Sequence, residues 1–351
     1  KRVLLTRRPR GVVGVISPWN WPYTMPAELI APALACGNTA IAKPSEITPM
    51  SAFLLGEICG EAGLPDGVLN VVQGTGQNVG AAMTAHPKIA AISFTGGTVT
   101  GRKVAESCAP QFKKVSLELG GKNPNIIFAD ADMDAAIAGS LRSSFANQGQ
   151  VCLCGSRVFV ERSAYSQFVD RFVAAASKLK IGDPLDSGTD QGAIVSQMQL
   201  DKVKFYVDLA KQEGGKVALG GSSPEAINDR CRDGYFFPPT VITDLPVGCR
   251  VNREEIFGPV VTITPFESEE EVLGYANDCD YGLASSVWTQ NVSRVYRVAE
   301  RIHAGTVWVN CWMVRDLRVP FGGMKQSGVG REGGEETMRF FTEPKNVCIA
   351  K

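Results

Sequence analysis

The sequence predicts an α/β fold, because short apolar segments alternate with stretches of helical spacing along most of the chain. Apolar runs over 11–17 and 39–42 are typical of buried strands, and residues 25–36 and 51–62 have helical spacing. Strands separated by helices favour a parallel sheet with helices on both faces. At 351 residues the chain exceeds one ordinary core, so we expect about two domains.

The alternation continues in two series that divide near Gly120 and Gly121. Further strands are predicted over the ranges 68–72, 90–94, 125–128 and 157–160. Asp132 is placed to cap a helix that runs to Leu141, and residues 165–179 form a long amphipathic helix. The second series therefore predicts a second α/β domain after the glycine pair.

The charges of the chain balance, with 36 lysines and arginines against 36 aspartates and glutamates. No global field would recruit nucleic acid or an anionic membrane surface, so neither is expected as a partner. The basic cluster within residues 1–10 is interleaved with apolar residues and indicates a solvated edge strand. No apolar run reaches the ~18 residues of a membrane span.

The ten cysteines are scattered singly, apart from Cys152 and Cys154. No Cys-x-x-Cys or zinc-type spacing occurs, which predicts a reducing, cytoplasmic location and no metal site. His86 and His303 are the only histidines. Their scarcity argues against a catalytic scheme that depends on a histidine base.

Cys152 ends a polar, glycine-bearing segment over 145–152, and Glu118 precedes it in Leu-Glu-Leu-Gly-Gly-Lys. Local amides that stabilise a thiolate would lower the pKa of such a cysteine and make it a nucleophile. Glu118 is a candidate general base. A small buried hydrophobic cysteine and an exposed strand glutamate remain the alternatives at this point.

Two glycine-bearing segments are weak candidates for binding a dinucleotide. Residues 74–80 have one residue too many for the G-x-G-x-x-G pattern, and residues 94–98 have too few glycines. Gly97 could open a helix towards a pyrophosphate, or it could only close a tight turn. Lys43 and Glu46 follow a strand, where a carboxylate would bind ribose hydroxyls and favour NAD over NADP, or the two could form a solvated ion pair.

Seven motifs together resemble the aldehyde dehydrogenase family in order and spacing. They occupy residues 17–22, 43–46, 94–97, 117–122, 145–152, 254–259 and 320–325. The similarity extends to the end of the chain. The resemblance implies a further amino-terminal portion, on the order of a hundred residues or more, that this sequence does not include.

The resemblance implies a Rossmann-like NAD-binding domain over 10–120 and an α/β catalytic domain over 121–326. Residues 1–9 would be the remnant of an oligomerisation strand, and residues 327–351 would carry a second one. A homo-oligomer, dimer or tetramer, is implied as well.

The family's chemistry assigns the reacting groups of this sequence. Cys152 would add to an aldehyde carbonyl, and Asn20 with the Cys152 backbone N–H would hold the oxyanion. Hydride transfer to NAD would leave a thioester, and Glu118 would activate the water that hydrolyses it to the carboxylic acid. Glu332 resembles a second base and ranks behind Glu118.

The cofactor residues that the resemblance implies lie in four motifs. They are Lys43 and Glu46 at the adenosine ribose, Gly97 near the pyrophosphate, Glu255 at the nicotinamide ribose, Phe257 beside the nicotinamide, and Ser17 with Trp19. Solvated charges and ordinary turn residues are the alternatives for these positions.

The substrate is expected to contact Trp21, Trp312 and Arg315. A guanidinium is costly to bury without an anion, so Arg315 points to a carboxylated aldehyde. The Cys-Leu-Cys segment and the sequence around Trp312 are similar to the subgroup that oxidises 2-aminomuconic and 2-hydroxymuconic semialdehydes. The alternative is that Arg315 or Arg318 pairs structurally with Asp316 or another acidic neighbour.

Two other functions fit the same residues. A thiol esterase or acyl hydrolase would use Cys152 and Glu118 without NAD, and Lys43 would then be dispensable. A catalytically silent member of the family would retain the fold, although the presence of Cys152, Glu118 and Asn20 argues against it.

Overall fold

The computed structural model describes residues 1–224 and 227–350, so Lys351, the last residue of the predicted carboxyl-terminal segment, lies outside them. The chain forms two compact units. Unit 1 comprises Lys1–Leu119, Asp316–Gly322 and Ser327–Lys351, and unit 2 comprises Gly120–Arg315 and Gly323–Gln326.

The α/β class is confirmed, and the elements alternate as the sequence predicts. The strands are β1 Arg2–Pro9, β2 Val12–Ile16, β3 Thr39–Lys43, β4 Leu69–Val71, β5 Ile89–Thr95, β6 Lys114–Glu118, β7 Pro124–Ile127, β8 Arg157–Glu161, β9 Lys216–Leu219, β10 Thr240–Thr243, β11 Val260–Phe266, β12 Tyr281–Gly282, β13 Ala284–Trp288, β14 Thr306–Val309, β15 Met324–Lys325, β16 Gly328–Val329 and β17 Thr342–Ile349. The helices are α1 Thr24–Ala35, α2 Met50–Glu61, α3 Ala81–Ala85, α4 Thr98–Cys108, α5 Met133–Phe145, α6 Tyr165–Ala176, α7 Gln197–Gln212, α8 Arg250–Arg253, α9 Glu269–Asn277, α10 Val292–Arg301 and α11 Gly334–Phe341.

Unit 1 is built on a sheet with the strand order β16-β6-β5-β2-β3-β4. All neighbours in it are parallel except β16, which pairs antiparallel with β6. The strand order reverses at β2, which lies between β3 and β5. In open parallel sheets such a reversal places the ligand crevice at the carboxyl ends of the strands.

The strands β1 and β17 form a separate antiparallel pair in unit 1, with Arg2 opposite Ile349 and Pro9 opposite Thr342. This pair consists of the two strands that the resemblance assigns to oligomerisation, and their role in assembly stays a prediction. The sequence over 340–349 predicts one extended strand, and this was wrong for residues 340 and 341, which end α11. Phe341 is buried against Val13 and Ala33, and this packing outweighs the strand preference of an aromatic pair.

Unit 2 contains a sheet with the order β14-β13-β7-β8-β11-β10-β9, in which only β9 pairs antiparallel. Helices α5 and α6 bury Phe168 and Phe172 in its core. Asp132 caps α5 as predicted, since its Oδ1 accepts hydrogen bonds from the backbone N–H groups of Asp134 and Ala135. The helix continues to Phe145, four residues beyond the predicted end.

Within the described residues, no helix combines the length and the apolar character that crossing a membrane requires.

Candidate active site

The segment that carries Cys152 begins with a left-handed turn after α5. Asn147, Gln148 and Gly149 all have positive φ, of 50°, 55° and 69°. A Cβ on Gly149 would lie 2.1 Å from the carbonyl oxygen of Gly258, so only glycine fits this approach. The turn before Cys152 is thereby packed against the turn that follows Phe257.

Three consecutive carbonyl groups of the nucleophile segment accept hydrogen bonds from buried side chains. Asn123 Nδ2 donates to the carbonyl oxygens of Cys152 at 2.7 Å and Cys154 at 2.9 Å. Trp312 Nε1 donates to the carbonyl oxygen of Leu153 at 2.9 Å. The backbone is therefore fixed from Cys152 to Cys154.

Cys152 and Cys154 differ in what their thiols can do. Cys152 is partly exposed, whereas Cys154 is buried. Burial raises the pKa of Cys154 to about 12, so this thiol stays protonated at neutral pH. Of the two, only Cys152 has the accessibility that a nucleophile requires.

Glu255 lies beside the same segment, on the loop after α8. Gly121 donates its backbone N–H to Glu255 Oε1 at 2.9 Å, and a Cβ on Gly121 would lie 2.8 Å from the carbonyl oxygen of Cys152. A Cβ on Gly120 would lie 2.2 Å from Glu255 Oε2. The glycine pair therefore brings the backbone next to both Glu255 and Cys152.

Burial raises the pKa of Glu255, and the Gly121 N–H, Lys202 and Lys122 act in the opposite direction. Phe257 follows with a φ of 60°, a strained value for a bulky residue. Gln199 Nε2 donates to the carbonyl oxygens of Ile256 at 2.9 Å and Phe257 at 2.8 Å. These two bonds hold Phe257 in its unusual conformation.

In unit 1, the predicted cofactor residues gather at the carboxyl ends of adjacent strands. Ser17 follows β2 and donates its N–H to the carbonyl oxygen of Lys43, which ends β3, at 3.1 Å. Trp19 accepts at its carbonyl oxygen a 3.2 Å hydrogen bond from Thr48 Oγ1. Gly97 follows β5 and is the N-cap of α4, where a Cβ would meet no atom within 4 Å.

Lys43 and Glu46 form an ion pair of 3.2 Å, with the lysine side chain buried and the carboxylate half exposed. Burial works to raise the pKa of Glu46, but hydrogen bonds from its own backbone and from Lys43 outweigh it and the pKa is lowered. Glu46 is therefore ionised at neutral pH and can accept hydrogen bonds from ribose hydroxyls.

Glu118 is the last residue of β6 and is 4% exposed. A Cβ on Gly322, whose φ is 157°, would lie 2.7 Å from Glu118 Oε1. Glu332 is also buried, and its backbone exchanges two 2.7 Å hydrogen bonds with Phe321. Asn20 and Trp21 follow β2 in the turn that leads into α1, and both are partly buried.

The residues expected at the substrate have different surroundings. The sequence argument for Arg315 assumed that its guanidinium is buried and therefore needs an anion. In the structure Arg315 is exposed, so that argument fails. Only the positive charge of Arg315 still favours a carboxylated substrate. Arg318 pairs with Asp316 at 2.7 Å, so the alternative of a structural ion pair holds for Arg318. Trp312 is buried, and its indole N–H is directed at the nucleophile segment.

Asn123 and Gln199 are the site residues that sequence reasoning missed. Asn123 directly follows the Leu-Glu-Leu-Gly-Gly-Lys motif, and that position was the available signal. Gln199 is far from every motif in the sequence, so only the folded chain reveals its bonds to the Phe257 segment. No cluster of metal-binding side chains occurs among the residues that the structure describes.

The donor set in unit 1 suits a dinucleotide. A lysine ends one strand and an ionised carboxylate follows it, and backbone N–H groups at the start of α4 follow another strand. Carboxylate to ribose and helix N-terminus to pyrophosphate are the contacts that such cofactors use in open parallel sheets.

Comparison with known proteins agrees with this geometry. The chain is 52% identical over 344 residues to the 2-aminomuconic semialdehyde dehydrogenase of Danio rerio, covering 98% of this chain and 71% of that protein. It is 51% identical to the 2-hydroxymuconic semialdehyde dehydrogenase of Pseudomonas putida, with the same coverage. The crystal structure of betaine aldehyde dehydrogenase from Staphylococcus aureus in complex with NAD+ superposes with a TM-score of 0.96 at 40% identity, covering 98% of this chain and 68% of that one.

The match to the aldehyde dehydrogenase family extends over residues 1–347, which is nearly the whole chain. The glycine pair beside Glu255, the ordered Cys152 segment and the carboxylates at the sheet edge all lie within it. The chain belongs to the aldehyde dehydrogenase family.

Proposed function

We propose that the chain oxidises an aldehyde to a carboxylic acid with NAD, through a covalent intermediate on Cys152. The observation that carries the proposal is the contrast between Cys152 and Cys154 on one rigid segment. Cys152 is accessible and its backbone is fixed, whereas burial keeps the Cys154 thiol protonated. The relatives named above are dehydrogenases of the same family, and a neighbouring structure holds NAD+.

The reaction follows from these groups. The Cys152 thiolate adds to the carbonyl carbon, and the Cys152 N–H with the Asn20 amide stabilises the oxyanion by about 3 kcal/mol per donor. Bound NAD would supply the hydride acceptor for that carbon. The carbonyl re-forms as a thioester on Cys152. Glu118 then takes a proton from water as the water attacks the thioester, which releases the acid and the thiolate.

The residues of the cofactor motifs are proposed to hold NAD. Lys43 and Glu46 would bind the adenosine ribose, Gly97 would face the pyrophosphate, and Ser17 with Trp19 would line the crevice beside them. Glu255 and Phe257 would contact the nicotinamide ribose and the nicotinamide. Glu255 is partly buried, and the absence of side chains on Gly120 and Gly121 leaves room for its carboxylate.

The substrate is proposed to be a carboxylated semialdehyde such as 2-aminomuconic or 2-hydroxymuconic semialdehyde. Arg315 supplies an exposed cation for the distal carboxylate, and Trp21 and Trp312 would supply aromatic surface. The names of the two relatives above agree with this substrate class. Bidentate recognition of a carboxylate is the task to which a guanidinium is suited.

The test measures NADH formation from a carboxylated semialdehyde and from an uncharged aldehyde of equal length. Arg315→Met should raise the KM for the carboxylated substrate by about tenfold or more and leave the uncharged one unchanged. Arg318→Met is the matched control, because it removes the same charge from the same loop region and Arg318 pairs with Asp316. Equal losses for both substrates would reject Arg315 as the carboxylate contact, and acyl-ester cleavage without any NADH would support a hydrolase instead.

A homo-oligomer, dimer or tetramer, that acts in the cytoplasm is proposed as well. The β1 and β17 pair is exposed along its length, with Leu5 75% exposed, and such an edge invites pairing with another copy. All ten cysteines lie in the described part of the chain and are free thiols, as expected in a reducing compartment. Leu5→Lys should shift the sedimentation coefficient towards that of the monomer, and an unchanged value would contradict this interface.

A further inference from the structure

Residues 310–315 form the loop that carries Arg315, and side-chain hydrogen bonds fix the conformation of its backbone. Asn310 and Met313 have positive φ values of 52° and 63°. Asn310 also exchanges two hydrogen bonds with Thr289, at 3.0 and 2.9 Å. Backbone strain of this kind persists only where the surroundings fix it.

Two buried tryptophans bond this loop at different points. Trp308 Nε1 donates to the carbonyl oxygen of Val314 at 2.8 Å, next to Arg315. Trp312 Nε1 donates to the carbonyl oxygen of Leu153 at 2.9 Å, next to Cys152. The first bond is internal to the loop and its strand, whereas the second joins the loop to the nucleophile segment.

The surroundings of Trp312 keep it in place. Its side chain is 7% exposed, and the guanidinium of Arg142 lies 5.7 Å from the centre of its ring. Indole N–H is only a donor, and a buried carbonyl that loses its donor keeps the full cost of desolvation. The Trp312 bond therefore contributes to the conformation of the backbone at Leu153.

We propose that Trp312 is a positioning residue that couples the Arg315 loop to the Cys152 segment. The inference rests on the proposed function, because that function makes Arg315 the substrate-binding cation and Cys152 the nucleophile. Trp312 acts through the Leu153 carbonyl and holds the backbone amides around Cys152 where they stabilise the thiolate. Trp308 fixes only the loop, so the two tryptophans have separable effects.

The experiment compares Trp312→Phe with Trp308→Phe, which make the same chemical change at nearly equal burial. Alkylation of Cys152 by iodoacetamide is followed over a pH series by mass spectrometry of the peptide that contains it. Trp312→Phe should slow alkylation about three- to tenfold, the range expected for one lost buried hydrogen bond. Trp308→Phe should leave the alkylation rate unchanged and should raise the KM for a carboxylated substrate instead.

Equal effects of the two substitutions on alkylation, or no effect of Trp312→Phe, would overturn the proposal. If Trp312→Phe does not fold, Arg142→Met removes the exposed cation above the indole, and it should also slow alkylation. An unchanged rate in that variant would overturn the proposal too. Alkylation requires neither NAD nor aldehyde, so a chain that shows the predicted alkylation pattern but forms no NADH would contradict the proposed function alone.

Discussion

Gly149 offers a sharp test of the packing that surrounds the nucleophile turn. Gly149→Ala places a Cβ 2.1 Å from the carbonyl oxygen of Gly258 and 2.8 Å from the nitrogen of Pro259, in a backbone whose φ is 69°. The left-handed conformation costs alanine about 1–2 kcal/mol. The overlap with backbone atoms adds about 1–3 kcal/mol, because neither segment can rotate away as a side chain could.

The matched control is Gly214→Ala. Gly214 has a φ of 91°, but a Cβ there would meet no atom within 4 Å, so it bears the conformational cost alone. Urea unfolding should show a loss of about 2–5 kcal/mol for Gly149→Ala and about 1–2 kcal/mol for Gly214→Ala. Activity should fall by about a hundredfold in the first variant only, because the turn sets the position of Cys152. Equal losses of stability and activity in the two variants would refute the reasoning.

Three further predictions concern individual side chains. Cys154→Ala should keep most of the activity, because burial keeps that thiol protonated with a pKa of about 12, and loss of turnover in a folded variant would contradict this. Glu46→Ala should reduce the preference for NAD over NADP by about tenfold or more in kcat/KM, since a carboxylate repels a 2′-phosphate, and an unchanged ratio would place the ribose elsewhere. Burial, with Arg157 nearby, lowers the pKa of Lys122 from 10.5 to about 7. Between these two pH values the unfolded chain binds more protons than the folded chain, so the free energy of unfolding rises with pH. Lys122→Met should therefore have a larger free energy of unfolding than the wild type at pH 6. In urea unfolding, this difference should shrink by about 1.4 kcal/mol per pH unit between pH 7 and 9. A difference that stays constant with pH would contradict the lowered pKa.

The fold was predictable from the sequence because the two hydrophobic periodicities alternate clearly. The buried strand at 12–16 and the helix that follows it lie within one residue of their predicted bounds. Helix ends were less predictable, since α5 continues to Phe145 to bury that side chain in the core of unit 2. Only long-range packing could have revealed where it ends.

The candidate site was predictable to the extent that motifs record it. Cys152, Glu118 and Glu46 lie in short sequence motifs, so they could be proposed as site residues from the sequence alone. Asn123 and Gln199 donate hydrogen bonds to backbone carbonyl oxygens that are distant in sequence. No local sequence pattern predicts such a hydrogen bond. The exposure of Arg315 also depends on the folded loop rather than on its neighbours in the chain.

The most direct test of the central claim is detection of the covalent intermediate. Glu118→Gln should still form about one equivalent of NADH per chain in the first turnover, because hydride transfer precedes the step that needs the base. Intact-protein and peptide mass spectrometry should then find an acyl group on Cys152, and Glu118→Gln combined with Cys152→Ala should give neither NADH nor adduct. NADH formation by the Cys152→Ala chain, or an acyl group on another cysteine, would contradict the account.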